Sequence, residues 1–156
     1  TAMFFTALAA TFVAWHRKEH TLSIHDIDTR SREAFYWAAI LFTFALGTAA
    51  GDLLSEQLGL GYARSGLIFG GGIAIVTLGY YTKMIGSVAA FWIAYILTRP
   101  LGASIGDFLT QQPQAGGLGI ATIVVNGVFL FLIVGLVAYL TMTRSDRVVQ
   151  EGYPKI

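Results

Sequence analysis

Trp37-x5-Thr43-x2-Leu46-Gly47-x3-Gly51-Asp52-x-Leu54 returns as Trp92-x5-Thr98-x2-Leu101-Gly102-x3-Gly106-Asp107-x-Leu109, at a constant offset of 55 residues. Tryptophan, threonine, leucine, two glycines and an aspartate recur in register. Both copies stand in runs apolar enough to enter a bilayer, and neither alternates as a barrel strand would. The reading that follows is an all-α, polytopic membrane bundle of parallel two-helix repeats, with about five transmembrane helices in this chain.

Composition supports that reading. Hydrophobic residues make up 55% of the 156, charged residues only 12%, and the mean hydropathy is +0.65. A soluble domain would carry about twice that charge. The charges also cluster in short stretches and leave long windows nearly free of them, as in a multi-pass membrane protein. A net charge of +1 and the lack of a basic stripe give no reason to expect a nucleic-acid partner. The chain has no cysteine, so disulfides, thiolate metal sites and cysteine nucleophiles are excluded.

Apolar segments run from Ala2 to Trp15, Ala34 to Leu54, Gly66 to Tyr81, Gly86 to Leu109 and Gly117 to Thr141. Crossing ~30 Å of hydrocarbon takes about 20 helical residues. The first segment starts in mid-run with no charged region before it, so the chain is expected to be the C-terminal part of something longer. Lys and Arg set the orientation. The first connection holds Arg17, Lys18, Arg30 and Arg32; Lys83 and the tail residues Arg144, Arg147 and Lys155 fall on the same side. Only Arg64 falls on the other, with Arg99 inside a span. The first connection and the C-terminus are therefore expected in the cytoplasm, and the glycine-rich connections after each aspartate outside.

The organisation expected is a return helix of an earlier repeat plus a loop over 1–33, one two-helix repeat over 34–82, a second over 83–143, and a cytoplasmic tail over 144–156. Gly59-Leu60-Gly61 aligns with Gly117-Leu118-Gly119 ahead of the return helices. Both copies enter the membrane from the same side, so the repeats are parallel. The stretches Glu33-Ala34-Phe35-Tyr36-Trp37, Phe42 through Asp52, and Phe91 through Ser104 resemble a family of uncharacterised bacterial inner-membrane proteins built from tandem two-helix transmembrane repeats, a repeat of unknown function. The resemblance covers residues 1 to about 143. It implies that the chain supplies the C-terminal helices of a longer multi-pass protein, and it brings no activity.

Function must come from the residues. Gly47 and Gly51, like Gly102 and Gly106, lie four apart on one helix face, where glycine lets two backbones approach. Asp52 and Asp107 close the two motifs. Each is either an interfacial cap or half of a carboxylate pair facing a shared cavity, able to bind a cation or carry a proton. Recurrence in register favours the pair. Glu56 is positioned to join Asp52, and its repeat counterpart is the uncharged Gln111. Arg99 lies near mid-span, where a charge is costly, so it is expected to face the bundle interior and pair with a carboxylate or with carbonyls. Pro100, with Gly102 two residues on, either breaks the helix and frees the carbonyls of Ile96 and Leu97, or kinks it with Thr98 compensating. Trp37 and Trp92 read as interfacial anchors.

The histidines lie in His16-Arg17-Lys18-Glu19-His20 and at His25, near Asp26 and Asp28. A solvated loop is the expectation there, a metal-sensing loop the alternative. No His-Glu-x2-His motif and no serine with an evident base suggests an enzyme, and no cofactor is implied. The function expected is a small-solute or ion transporter, with Asp52 and Asp107 drawing a cation or exchanging protons. Arg99 would be fixed counter-charge or a ligand for an anionic substrate group, so that either a cation exchanged for protons or a zwitterion fits, and Thr43, Thr98 and Ser104 would be neutral oxygen ligands. The alternative is a non-transporting scaffold or accessory subunit. The partners expected are the bilayer, a small solute or ion, and either a second copy or the missing N-terminal repeats.

Overall fold

The computed structural model describes residues 1–23 and 29–143. They form helices α1 (Ala2–Glu19), α2 (Arg30–Asp52), α3 (Tyr62–Tyr81), α4 (Ser87–Thr110) and α5 (Thr122–Thr143), with no strand among the described residues. Among the described residues, four helical stretches are long and apolar enough to cross a membrane, Arg30–Gln57, Tyr62–Tyr81, Ser87–Thr110 and Thr122–Thr143, and α1 is not one of them. The chain thus has the build of a multi-pass membrane protein. The tail cations Arg144, Arg147 and Lys155, and His25, Asp26 and Asp28, lie outside the described residues.

Local chemistry sets the ends of the helices. Thr29 caps α2 by accepting from the Arg32 N–H at 3.3 Å, and Glu33 sits in the first turn against the helix dipole. α1 ends where His20 turns left-handed and its N–H bonds the His16 carbonyl at 2.9 Å. α3 starts at Gly61, whose φ of 75° suits glycine; its repeat counterpart Gly119 has φ 69°. The second glycine of each aligned Gly-x-Gly is thus left-handed ahead of its return helix, whereas of the first glycines only Gly59 is, at φ 63°.

The chain divides into two units, Thr1–Gly119 and Ile120–Ile156. In the first, α2 packs on α1 and on α4, and α3 packs on α4. The α2–α4 crossing is parallel. A Cβ built at Gly47 would overlap that of Arg99 and stand 3.2 Å from Pro100 Cδ, and one at Gly51 would lie 3.8 Å from Ala103 Cβ. Residues rising along α2 thus meet residues rising along α4, as parallel repeats require.

The flanking helices obey the same repeat. Ala49 accepts a hydrogen bond from Thr1 of α1 at 3.0 Å, while its counterpart Ser104 meets Gly66 of α3 at 3.6 Å from a built Cβ. Leu46 shares a core cluster with Leu8 of α1, and its counterpart Leu101 packs at Gly70 of α3. A helix of the preceding hairpin therefore covers the same face of each motif helix.

Aromatic rings fill the end of the bundle opposite the aspartates. Trp15 and Trp92 meet edge-on at 5.9 Å, Phe12 and Trp92 at 5.0 Å, and Trp15 stacks on Phe35 at 6.4 Å. Trp92 is 4% exposed and donates its Nε1–H to the Leu22 carbonyl at 3.0 Å. The expectation of two interfacial anchors is corrected here. Trp92 is core, because the α1 end and the 20–23 segment fold over it, whereas Trp37 stays 55% exposed. Arg32 Nε and Glu19 Oε2, 2.9 Å apart, tie α1 to α2 at this end. The hydrogen bond from Arg32 holds the Glu19 carboxyl below its ordinary pKa.

The unit that holds α5 is apolar almost throughout its helix. Its side chains are nearly all exposed, Val125 alone being buried among its helical residues.

Candidate functional site: the acidic end of the bundle

α2 does not stop cleanly at Asp52. It widens into a π-helical turn, Leu53–Gln57, in which the Leu58 N–H bonds the Leu53 carbonyl at 2.9 Å. Ser55 is buried there and donates to the Gly51 carbonyl at 2.7 Å. The Leu60 and Gly61 N–H groups cap the carbonyls of Leu54 and Ser55 at 3.2 and 3.1 Å. A π turn adds a residue to the helical circuit and so changes where the side chains after it point; such turns recur at functional sites.

Asp107 stands at the matching place on α4, and the close approach at Gly51 brings the two motif ends together. Asp107 is half-buried and within electrostatic reach of both Asp52 and Glu56. The Gln111 amide lies beside it. Tyr62, at the start of α3, is buried; its hydroxyl donates to Glu56 Oε1 at 3.4 Å, and it too lies within reach of Asp52 and Asp107. Three carboxylates and a phenol from α2, its π turn, α3 and α4 thus gather at one end. Among the described residues no basic side chain pairs with any of the three carboxylates, and no group of three ligating side chains is close enough to hold a metal ion.

The neutral ligands expected do not all join this group. Ser104 comes nearest, one turn inward from Asp107 and about 4.5 Å along the helix. It is 2% exposed, and its Oγ has no hydrogen-bond partner. It opens onto a cleft of about 420 Å³ between α3 and α4 that Tyr62 and Phe108 also line. Thr43 is fully buried, with an unpartnered Oγ1, about 14 Å back along α2 from Asp52. Thr98 is exposed and donates to the Ala94 carbonyl at 2.8 Å.

Arg99 corrects the expectation of an interior charge. It is exposed, and its guanidinium lies 3.6 Å from the centroid of the Phe44 ring. The cause is Gly47, which seats the Arg99 Cβ against α2 and leaves the rest of the side chain to run outward over Phe44. Of the two alternatives at Pro100, a broken helix or a continuous one with a kink, the break is absent. α4 is continuous from Ser87 to Thr110, and Pro100 is buried with its ring against Gly47. Gly47 and Gly51 are contact residues, whereas a Cβ at Gly102 or Gly106 would meet open space.

Tyr62 was not foreseen from sequence. It has no repeat counterpart, since Gly61-Tyr62 aligns with Gly119-Ile120, so the comparison of copies passed over it. The only available signal was a tyrosine directly after a Gly-x-Gly turn, on the expected outer side.

The fold and this site define a helical protein built by duplication of an apolar hairpin, with carboxylates that recur in register at one end. The chain belongs to the family described as Repeat of Unknown Function (DUF347), which matches it twice, over residues 35–84 and 90–146. No curated protein and no solved structure matches it.

Proposed function

We propose that the protein is a cation transporter coupled to protons, in the inner membrane of a bacterium, with its C-terminus in the cytoplasm and its acidic end outside. One observation carries this reading: Asp52 and Asp107, repeated 55 residues apart, close two helices that touch at Gly51 and Ala103, and among the described residues neither they nor Glu56 has a basic partner. Unpaired carboxylates held together attract a cation, and a proton can take its place when the cation leaves. The placement of Arg99 on Phe44 supports a cation over a zwitterion, since among the described residues no basic side chain forms an ion pair with the carboxylates. Ser104 is the neutral oxygen best placed for the path inward. Chemistry on a substrate is no part of this reading.

The test is flux of monovalent and divalent cations into proteoliposomes, with and without a pH gradient. The parent is expected to move a cation at a rate that responds to the pH gradient, and Asp107→Asn to lose at least about tenfold, a factor equivalent to about 1.4 kcal/mol. Background flux in the parent for every cation defeats the reading. A second reading, a membrane scaffold or accessory subunit, has its own support: Thr43, Thr98 and Arg99 sit on different faces, away from the carboxylates. That reading predicts equal background flux in parent and variant.

A further inference from the structure

The α2–α4 contact is a socket and a ridge. The socket is Gly47 and Gly51 on α2; the ridge is Arg99, Pro100 and Ala103 on α4. Both helices are copies of one motif, so each carries both features. The socket on α4 is Gly102 and Gly106, and the ridge on α2 is Phe44, Ala45 and Thr48, each 55 residues from its counterpart. The chain uses one socket and one ridge and leaves the other pair open. Gly102 and Gly106 have free space where a side chain would stand. Phe44 is 52% exposed, and Thr48 is exposed beside it.

We infer that the Gly102/Gly106 face of α4 is the docking face for the Phe44/Thr48 face of α2 from a second copy of this chain. Socket and ridge lie on different helices, so a two-fold dimer makes the contact twice, socket to ridge and ridge to socket, as an isologous interface. Two copies would satisfy every socket and ridge in a ring of four motif helices. In a bilayer, close approach of small-residue faces drives helix association more than apolar burial does, so an empty Gly-x3-Gly face is the one to be filled.

Arg99 points the same way by a separate route. An exposed guanidinium in a span is costly, and α4 leaves it covered on one side only, by Phe44 of its own chain. Applying the repeat offset to the Arg99–Phe44 contact sets Phe44 of the second copy against Arg99. The guanidinium would then lie between two phenyl rings, away from lipid. This inference stands whether or not the protein transports a cation.

The absence of cysteine makes the test direct. Gly51 and Ala103 have a built Cβ separation of 3.8 Å, a distance that suits a disulfide. Their repeat equivalents across the new contact are Gly106 and Thr48. The whole chain is reconstituted into lipid vesicles as two single variants, Gly106→Cys and Thr48→Cys, alone and mixed, and then oxidised. A Gly51→Cys/Ala103→Cys double variant serves as a check on the fold and is expected to close within one chain. The expected result is a disulfide-linked dimer in the mixture and none in either variant alone. Closure of the check with no dimer in the mixture overturns the inference and assigns the face to lipid or to another polypeptide. A dimer from Gly106→Cys alone also overturns it, since that requires a symmetric contact between the two glycine faces.

Discussion

Replacing Gly47 with leucine is expected to separate α2 from α4 and to lower the free energy of unfolding by about 3 kcal/mol. The first atom added already overlaps the Cβ of Arg99, and the Pro100 ring stands 3.2 Å away. Neither neighbour can yield. The Arg99 Cβ is fixed to a helix backbone, and Pro100 is buried. Leucine is a better helix former than glycine by up to about 1 kcal/mol, which offsets part of the loss but does not reverse it. Gly102→Leu, at the same place in the second copy, is the control. It meets open space within this chain and should leave the stability of the monomer unchanged or slightly raised. Equilibrium unfolding in dilute mixed micelles checks both. Equal losses at the two positions would mean that the α2–α4 crossing is not the one described.

The tryptophans offer the second large contrast. Trp92→Ala is expected to cost about 3 to 5 kcal/mol, by the cavity it leaves and the packing it removes. It also leaves the Leu22 carbonyl without its donor at 3.0 Å, and takes away the ring that Phe12, Trp15, Tyr95 and Phe91 share. Trp37→Ala should change stability by about 0.5 kcal/mol or less, because Trp37 is 55% exposed and its ring contact is with the neighbouring Tyr36. The shift in unfolding midpoint of the two variants measures the difference. Similar shifts would show that both indoles act as anchors at a surface.

The repeat made most of the fold legible. The Gly-x3-Gly spacing marked a face for close helix approach, and in-register recurrence implied parallel copies; the crossing of Gly47 and Gly51 with Arg99, Pro100 and Ala103 has both properties. Which of two equivalent faces would be filled was beyond a sequence pattern. Gly47 and Gly102 each follow a leucine and precede a second glycine four residues on, and the fold separates them by what the other helix brings to them. The same limit explains Trp92, whose burial depends on α1 and on Leu22, 70 residues away in sequence. Arg99 was misplaced because the cost of an intramembrane charge suggested an ionic partner, while the aromatic face of Phe44 was a nearer one. At the acidic end, duplication singled out Asp52 and Asp107. The single-copy Tyr62 and the π turn after Asp52 had no repeat to reveal them.

In the proposed transporter, Asp52 and Asp107 form a pair open to water from one side of the membrane. Asp107→Cys in this cysteine-free chain, exposed in oriented vesicles to a membrane-impermeant thiol reagent, tests it most directly. Labelling is expected from the side opposite the Arg17, Lys18 and Lys83 connections, and none from the side that holds them. No labelling from either side, with the protein folded, would mean a sealed carboxylate pair and would contradict the claim, as would labelling from the cationic side alone.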